Sequence, residues 1–368
     1  LLLLFCKRRV SLLIQYVFVH FLAFMPKMRN PSSERSSGRM CAENADIVAP
    51  QTRSRPGKRK VDATSHSTRT RKGHSSSSKV STATELPFTK DGYRYYLTEP
   101  DPFAPDKELL SDPQEFAGKP IPSHLNRIIR QTVVKLSSND RAPQIKLSAD
   151  GMVATGERGY SVIRGTHGVS RGTWFYEVRV VNQPKDSHAR IGWSQPFGLL
   201  QAPVGYDKFS YCVRSRHGTR FHDSRGYHYQ EPYGQGDILG MLIHLPETHP
   251  CAHYLPSTGK HLPLVRFKSS HYFEERDDLK GAQAALTPLV GSKLIFYKNG
   301  ICQGEAFTDI YEGTYYPAIS LYKDFTVEAN FGPNFAFPPT GVEYRPMCER
   351  AEMLIVEQCL ADMLYFIK

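Results

Sequence analysis

The side chains of this 368-residue chain that could do chemistry are few, and their spacing is poor for it. His244, His249, Cys251 and His253 are of metal-ligating type and lie close together in the sequence. Imidazole and thiolate bind zinc, but a structural site closes on four ligands that usually come as two clusters. No second cluster accompanies these four, and they border an irregular stretch. They read as exposed loop residues, and no metal is expected. The seven cysteines (Cys6, Cys41, Cys212, Cys251, Cys302, Cys348, Cys359) are odd in number and widely spaced, with no Cys-x-x-Cys. That pattern indicates neither a disulfide framework nor a zinc module and suits a reducing compartment. A phosphate-loop Gly-x-x-x-x-Gly-Lys and a His-Glu-x-x-His are both missing, so phosphoryl transfer and metal hydrolysis lack a constellation. Tyr233-Gly-Gln-Gly-Asp237 has too few glycines for a dinucleotide loop and opens a strand, so it reads as a turn.

The densest charge run is Arg53-Ser-Arg-Pro-Gly-Lys58-Arg59-Lys60, with Arg69-Thr-Arg-Lys72 a weaker second. Lys58, Arg59 and Lys60 can serve nuclear localisation or contact a phosphate backbone; the bland alternative is a solvated run without a partner. From 29 to 85, 18 of 57 residues are Ser or Thr and none is Phe, Trp or Tyr. So little apolar surface cannot offset the entropy of ordering, and a disordered basic linker is expected over 29–90. Residues 1–28 carry +4 and 29–85 carry +7, the whole net charge of +11, so 86–368 balances 31 basic against 31 acidic side chains. Any polyanion contact is therefore expected from the tail. Within 1–28, the apolar run 10–25 follows Lys7-Arg8-Arg9 and is interrupted by Gln15 and His20. It is short for a membrane span of about 20 residues and fits a signal-peptide core. With Leu1 at the start, this segment is expected to be mistranslated or non-native, upstream of a start at Met25 or Met28; a real signal or anchor is the alternative. No membrane partner is expected.

The elements that would position a site follow from periodicity. The proline-rich stretch from Tyr93 reads as an extended lead-in over 91–140. From 141 to 345 the pattern is short β-type runs between glycine turns, at 152–155, 160–164, 174–181, 189–193, 209–214, 238–243, 293–297, 318–321 and 326–331. They mix aromatic and β-branched residues with polar alternation, as half-buried antiparallel strands do. Asn299-Gly300 between two runs is a tight-hairpin signal. Many such strands without intervening helices indicate an all-β sandwich. Residues 245–290 interrupt the spacing and read as a mobile insertion. Over 350–368 the period becomes helical: Val356, Leu360, Met363, Leu364 and Ile367 form an apolar stripe, either packed on the sandwich or offered to a partner.

Gly172-Thr-Trp-Phe-Tyr-Glu-Val178, Arg190-Ile-Gly-Trp193, Gly236-Asp-Ile-Leu-Gly240, Ile295-Phe-Tyr-Lys-Asn-Gly300 and Tyr316-Pro-Ala-Ile-Ser-Leu-Tyr322 look like the successive strands of a SPRY domain. More narrowly, Asp140-Arg-Ala-Pro-Gln144, Gly192-Trp-Ser-Gln-Pro196, the stretch Leu200-Gln-Ala-Pro-Val-Gly-Tyr-Asp-Lys-Phe-Ser-Tyr211 and Leu360-Ala-Asp-Met-Leu-Tyr365 are similar to the trithorax-group Ash-two family. Members of that family are subunits of COMPASS-type (MLL/SET) histone methyltransferase complexes. The similarity runs from about Tyr93 to the end. The PHD finger and winged helix of longer members are not visible.

This resemblance implies a SPRY-type twisted antiparallel β-sandwich with a basic disordered N-terminal tail and a short C-terminal amphipathic helix. It also implies a nuclear, non-catalytic subunit without a cofactor of its own, S-adenosylmethionine belonging to a separate SET-domain methyltransferase that acts on histone H3 lysine four alongside a WD-repeat subunit. Tyr160, Arg190, Pro203, Tyr206 and Arg216 fall on the family's site for an acidic, phosphorylatable segment of retinoblastoma-binding protein five. Guanidinium forks suit carboxylate or phosphate oxygens, and Tyr and Pro supply rigid walls. Arg216 replaces the lysine usual in the family. Val356, Leu360, Met363, Leu364 and Ile367 correspond to the helix that docks a Dpy-thirty dimer, and Lys58, Arg59 and Lys60 are left as the contact to nucleosomal DNA. The rival reading is a generic SPRY adaptor, such as a ubiquitin-ligase substrate receptor; a SOCS box or RING would favour it, and neither is visible.

Overall fold

The computed structural model describes residues 92–105 and 122–367. The expectations for 1–28 and for the 29–90 linker lie outside the described residues.

Two large sheets enclose the main core. One runs Arg225–His228, Thr219–His222, Ser210–Arg214, His188–Ser194, Tyr316–Tyr322, Tyr160–Gly165, Leu136–Arg141. The other runs Ile301–Thr308, Lys293–Lys298, Ile238–Leu245, Gly172–Asn182, Thr326–Asn330, Val153–Thr155, Lys146–Leu147, with Arg345–Pro346 pairing in parallel to Trp174 and Phe175. The alternation read from the sequence becomes a two-faced strand. Tyr176 and Val178 point into the core, where the Tyr176 ring meets Trp193 edge-on at 5.0 Å. Phe175 points to the other side, under Phe335 at 4.9 Å and Tyr344 at 5.3 Å. Covering both faces explains why this central strand reads as a nearly unbroken aromatic run. Asn299 and Gly300 turn the hairpin with φ of +49° and +82°, the pair of positive values that a type I′ turn demands. Asn299 also accepts the Ile238 N–H at 2.8 Å through its side-chain oxygen.

Several boundaries differ from the sequence reading. The sandwich begins at Leu136, before 141, because Leu136–Arg141 pairs with Tyr160–Gly165. The interval 245–290, expected to be an insertion, carries regular structure. Leu264–Phe267 and Ser270–Arg276 form a hairpin in it, Tyr93–Pro100 adds along the hairpin edge, and Asn126–Ile128 completes a third, four-stranded sheet. The start of the lead-in, Tyr93–Pro100, is thus a central strand of this sheet. Phe273 and Tyr272 bury its underside at 0% and 1% exposure. Pairing across some 170 residues leaves no local periodic signal, which is why the segment read as an insertion.

The last element is the helix Arg350–Ile367. Its packed side sets buried Arg350, Gln358 and Asp362 beside Ala351 and Ala361. Arg350 donates to the Gly168 carbonyl and to Glu357, Arg130 donates to Gln358 at 2.7 and 2.9 Å, and Gln358 donates to Asp362 at 3.3 Å. Buried Lys260, paired with buried Asp101, lies 4.7 Å from the Phe366 ring. Among the described residues no helix is long and apolar enough to cross a membrane.

Candidate functional site

On the outer face of the first sheet, strand pairing builds an aromatic and basic surface. Tyr160 pairs with Tyr322 and Tyr322 with His188, so three rings stack across neighbouring strands at 5.0 and 6.3 Å. One pair further along, Arg190 sits between Ser320 and Arg214. The Arg190 guanidinium lies 3.9 Å from the Phe221 ring and 5.5 Å from that of Tyr160, and it donates to the Val204 carbonyl at 3.2 Å. Its Nε is buried without a partner, and so is the Nε of Arg214 opposite. Like charges directly opposed across strands are unfavourable, and a carboxylate or phosphate placed beside two guanidiniums would offset that repulsion.

The loop 200–209 closes over this face, and its shape is fixed by its own residues. Asp207 accepts from the Leu199 and Phe209 N–H groups and from the Ser210 hydroxyl, while Gly205 N–H bonds the Ser210 hydroxyl at 2.8 Å. Gly205 has φ +81°, and a Cβ there would meet the Phe221 carbonyl at 2.6 Å, so only glycine lets the loop approach. Beneath it, the Cys212 thiol donates to the Val204 carbonyl, and burial pushes its pKa up to about 12. It is a packed side chain, not a nucleophile.

The structure brings Tyr160 and Arg190 into contact, and it places Pro203 beside the Val204 that Arg190 bonds. Tyr206 stands on the same loop, 51% exposed, with its N–H bonded to the Pro203 carbonyl. Arg216 is exposed on the turn after Ser210–Arg214, and its side chain bonds the neighbouring His217. Burial, then the Arg214 and Arg216 charges, hold the His188 imidazole below its usual range, so the patch is basic without a histidine charge. His188, Arg214, Phe221, Ser320 and Tyr322 belong to this surface and were not singled out from the sequence. Period-two alternation could have flagged Arg214, two positions after Cys212, but its partner Arg190 emerges only from strand register.

On the C-terminal helix, Met363 and Ile367 are 43% and 74% exposed, and Val356, Leu360 and Leu364 are half-buried. Lys58, Arg59 and Lys60 lie outside the described residues. Of the four metal-type side chains, His244 bonds Thr173 at 2.8 Å and Cys251 faces Arg171, whereas His249 and His253 come together, with their rings 4.1 Å apart. Gly168-Val-Ser-Arg-Gly172 has the Gly-x-Ser-x-Gly spacing of a hydrolase elbow, but it links two strands rather than a strand and a helix. Among the described residues no imidazole is hydrogen-bonded to Ser170, so it lacks the base such a nucleophile needs.

A twisted two-sheet antiparallel sandwich with a covering loop has the architecture of a SPRY domain, and the SPRY domain family model matches residues 173–249. Relatives narrow the class. The chain is 51% identical over 283 residues to the fruit-fly protein named Set1/Ash2 histone methyltransferase complex subunit ASH2, covering 76% of this chain and 51% of that one. It is 44% identical over 293 residues to the Caenorhabditis elegans protein named Set1/Ash2 histone methyltransferase complex subunit ash-2, covering 77% and 50%. It is 29% identical over 329 residues to the fission-yeast protein named Set1 complex component ash2, covering 79% and 48%. The chain belongs to the Ash2 family, and it spans about half the length of the curated relatives it matches.

Proposed function

We propose that this chain is a nuclear, non-catalytic subunit of a histone H3 lysine-four methyltransferase complex. In this reading the outer-face surface around Arg190 takes an acidic or phosphorylated segment of retinoblastoma-binding protein five, the C-terminal helix docks a Dpy-thirty dimer, and the basic tail touches nucleosomal DNA. The observation that carries the reading is the strand register that sets Arg190 opposite Arg214 beside the Tyr160 ring, with the exposed Tyr206 on the covering loop. Two like charges opposed across strands cost free energy that a carboxylate or phosphate bound beside them would recover. The names of the relatives, each a subunit or component of a Set1 complex, supply the setting.

Stimulation then follows as a population shift. A SET domain that samples its closed form a few per cent of the time gains roughly tens-fold in turnover if partners hold it closed, about 2 kcal/mol, which a modest peptide interface supplies. The test is reconstitution of the SET enzyme, retinoblastoma-binding protein five and the WD-repeat subunit, with and without this chain. Turnover should rise mainly in kcat on its addition, and the chain with S-adenosylmethionine and histone peptide alone should be inert. Methyl transfer by the isolated chain would defeat the non-catalytic reading.

A further inference from the structure

We propose that His249, His253 and Glu312 form a binding site for a divalent transition-metal ion of the zinc class, with open positions for water. Their ligand atoms lie within 4.8 Å of one another. His249 Nε2 is 2.9 Å, and His253 Nε2 3.9 Å, from the same Glu312 Oε1. Four-coordinate zinc with bonds of 2.0–2.2 Å to nitrogen and oxygen sets its ligand atoms about 3.3 Å apart, so small rotations of the two imidazoles bring all three atoms into range.

The backbone already holds the donors. The Tyr254 hydroxyl accepts from the Thr248 and His249 N–H groups at 2.9 and 3.1 Å, and the His253 N–H bonds the Pro250 carbonyl, which folds the His-x-x-x-His segment into one tight turn. On the other side, the Glu312 N–H bonds the Thr287 carbonyl, and its own carbonyl accepts from the buried Gln195 side chain at 3.1 Å. The nearby Arg171 is engaged by Glu357 and Glu247 and does not compete for Glu312. Among the described residues, the ion partners of the Glu312 carboxylate are these two imidazoles. Side-chain exposures of 40%, 56% and 34% leave the site open to an ion from solvent. A bound ion would tie the turn after Ile238–Leu245 to the loop that leads into Tyr316–Tyr322.

The donor set differs from the four side chains that cluster in the sequence. His244 and Cys251 drop out, and a glutamate some 60 positions further on enters.

The untagged full chain, stripped with a chelator, is titrated with Zn2+ against a chromophoric competitor. One equivalent should bind, His253→Ala and Glu312→Gln should each weaken it at least tenfold, and Cys251→Ser should leave it in place. Zn2+ should raise the Tm of the parent protein and of Cys251→Ser, but not of the other two. All three ligands sit at the surface, so the metal-free variants should melt with the parent, which separates lost binding from lost folding. Unchanged affinity in His253→Ala and Glu312→Gln, as would follow from binding at His66 or His74, would overturn the assignment. So would a loss on Cys251→Ser with none on Glu312→Gln.

Discussion

Arg190 shows how a single residue can be half satisfied by its own protein. One guanidinium N–H bonds the Val204 carbonyl, the plane stacks on Phe221, and the remaining Nε has no partner. Replacing Arg190 with alanine should weaken an acidic partner peptide by about 2–4 kcal/mol, the usual cost of removing one half of a largely desolvated charge pair. The fold should survive, because the change also relieves repulsion with Arg214. Calorimetric affinity measured beside circular dichroism checks this; a folded variant with parental affinity would exclude the site. Arg190 was singled out through family resemblance and Arg214 was not, since a cross-strand neighbour 24 positions away is visible only once register is known.

At the scale of elements, the C-terminal helix buries polar groups beside Ala351 and Ala361 and leaves part of its apolar stripe in solvent. Gln358, Asp362 and Arg350 are buried, while Met363 and Ile367 face outward. An amphipathic helix that leaves part of its apolar stripe in solvent is suited to a groove on another protein. Leu360→Glu, placing a charge in mid-stripe, should abolish capture of the Dpy-thirty dimer while leaving the melting temperature within a degree or two; early melting of the whole domain would instead make the stripe part of the core. Beneath this helix, His167 bonds the Gln131 carbonyl and Thr166, and burial, reinforced by the Arg350 and Arg130 charges, pushes its pKa down to about 4. The folded state thus favours the neutral ring. This stabilisation is complete above the unfolded pKa near 6.5 and is lost as pH falls from there towards 4, on the order of 3 kcal/mol. His167→Gln should therefore flatten the acid limb of the Tm-versus-pH curve between 6.5 and 4. A limb as steep as that of the parent would assign the loss to other groups.

For the molecule as a whole, charge is segregated. The +11 resides before residue 86, while the folded body is neutral. Replacing Lys58, Arg59 and Lys60 with alanine removes up to three phosphate contacts and should reduce the slope of log affinity against log salt for nucleosome binding by up to about 3. Activity on a free histone peptide should be spared. Equal slopes for variant and parent would leave these residues to nuclear import. The third sheet joins the Tyr93–Pro100 strand, the 264–276 hairpin and, through Lys260, the end of the helix, so the helix rests on chain segments far apart in sequence.

The sequence by itself determined the sandwich, the Asn299-Gly300 hairpin and the terminal helix, because strand alternation, turn chemistry and helical period are local properties written within a few residues. It also determined the charge segregation and, by likeness of motifs, the family. Tertiary structure decided the rest. The pairing of Tyr93–Pro100 with Ser270–Arg276, the opposition of Arg190 and Arg214, the meeting of His249 and His253 with Glu312, and the choice of which helix face to bury all depend on contacts between distant segments. Such contacts form only when loop closure is repaid by packing over the whole domain, and no local pattern encodes that balance.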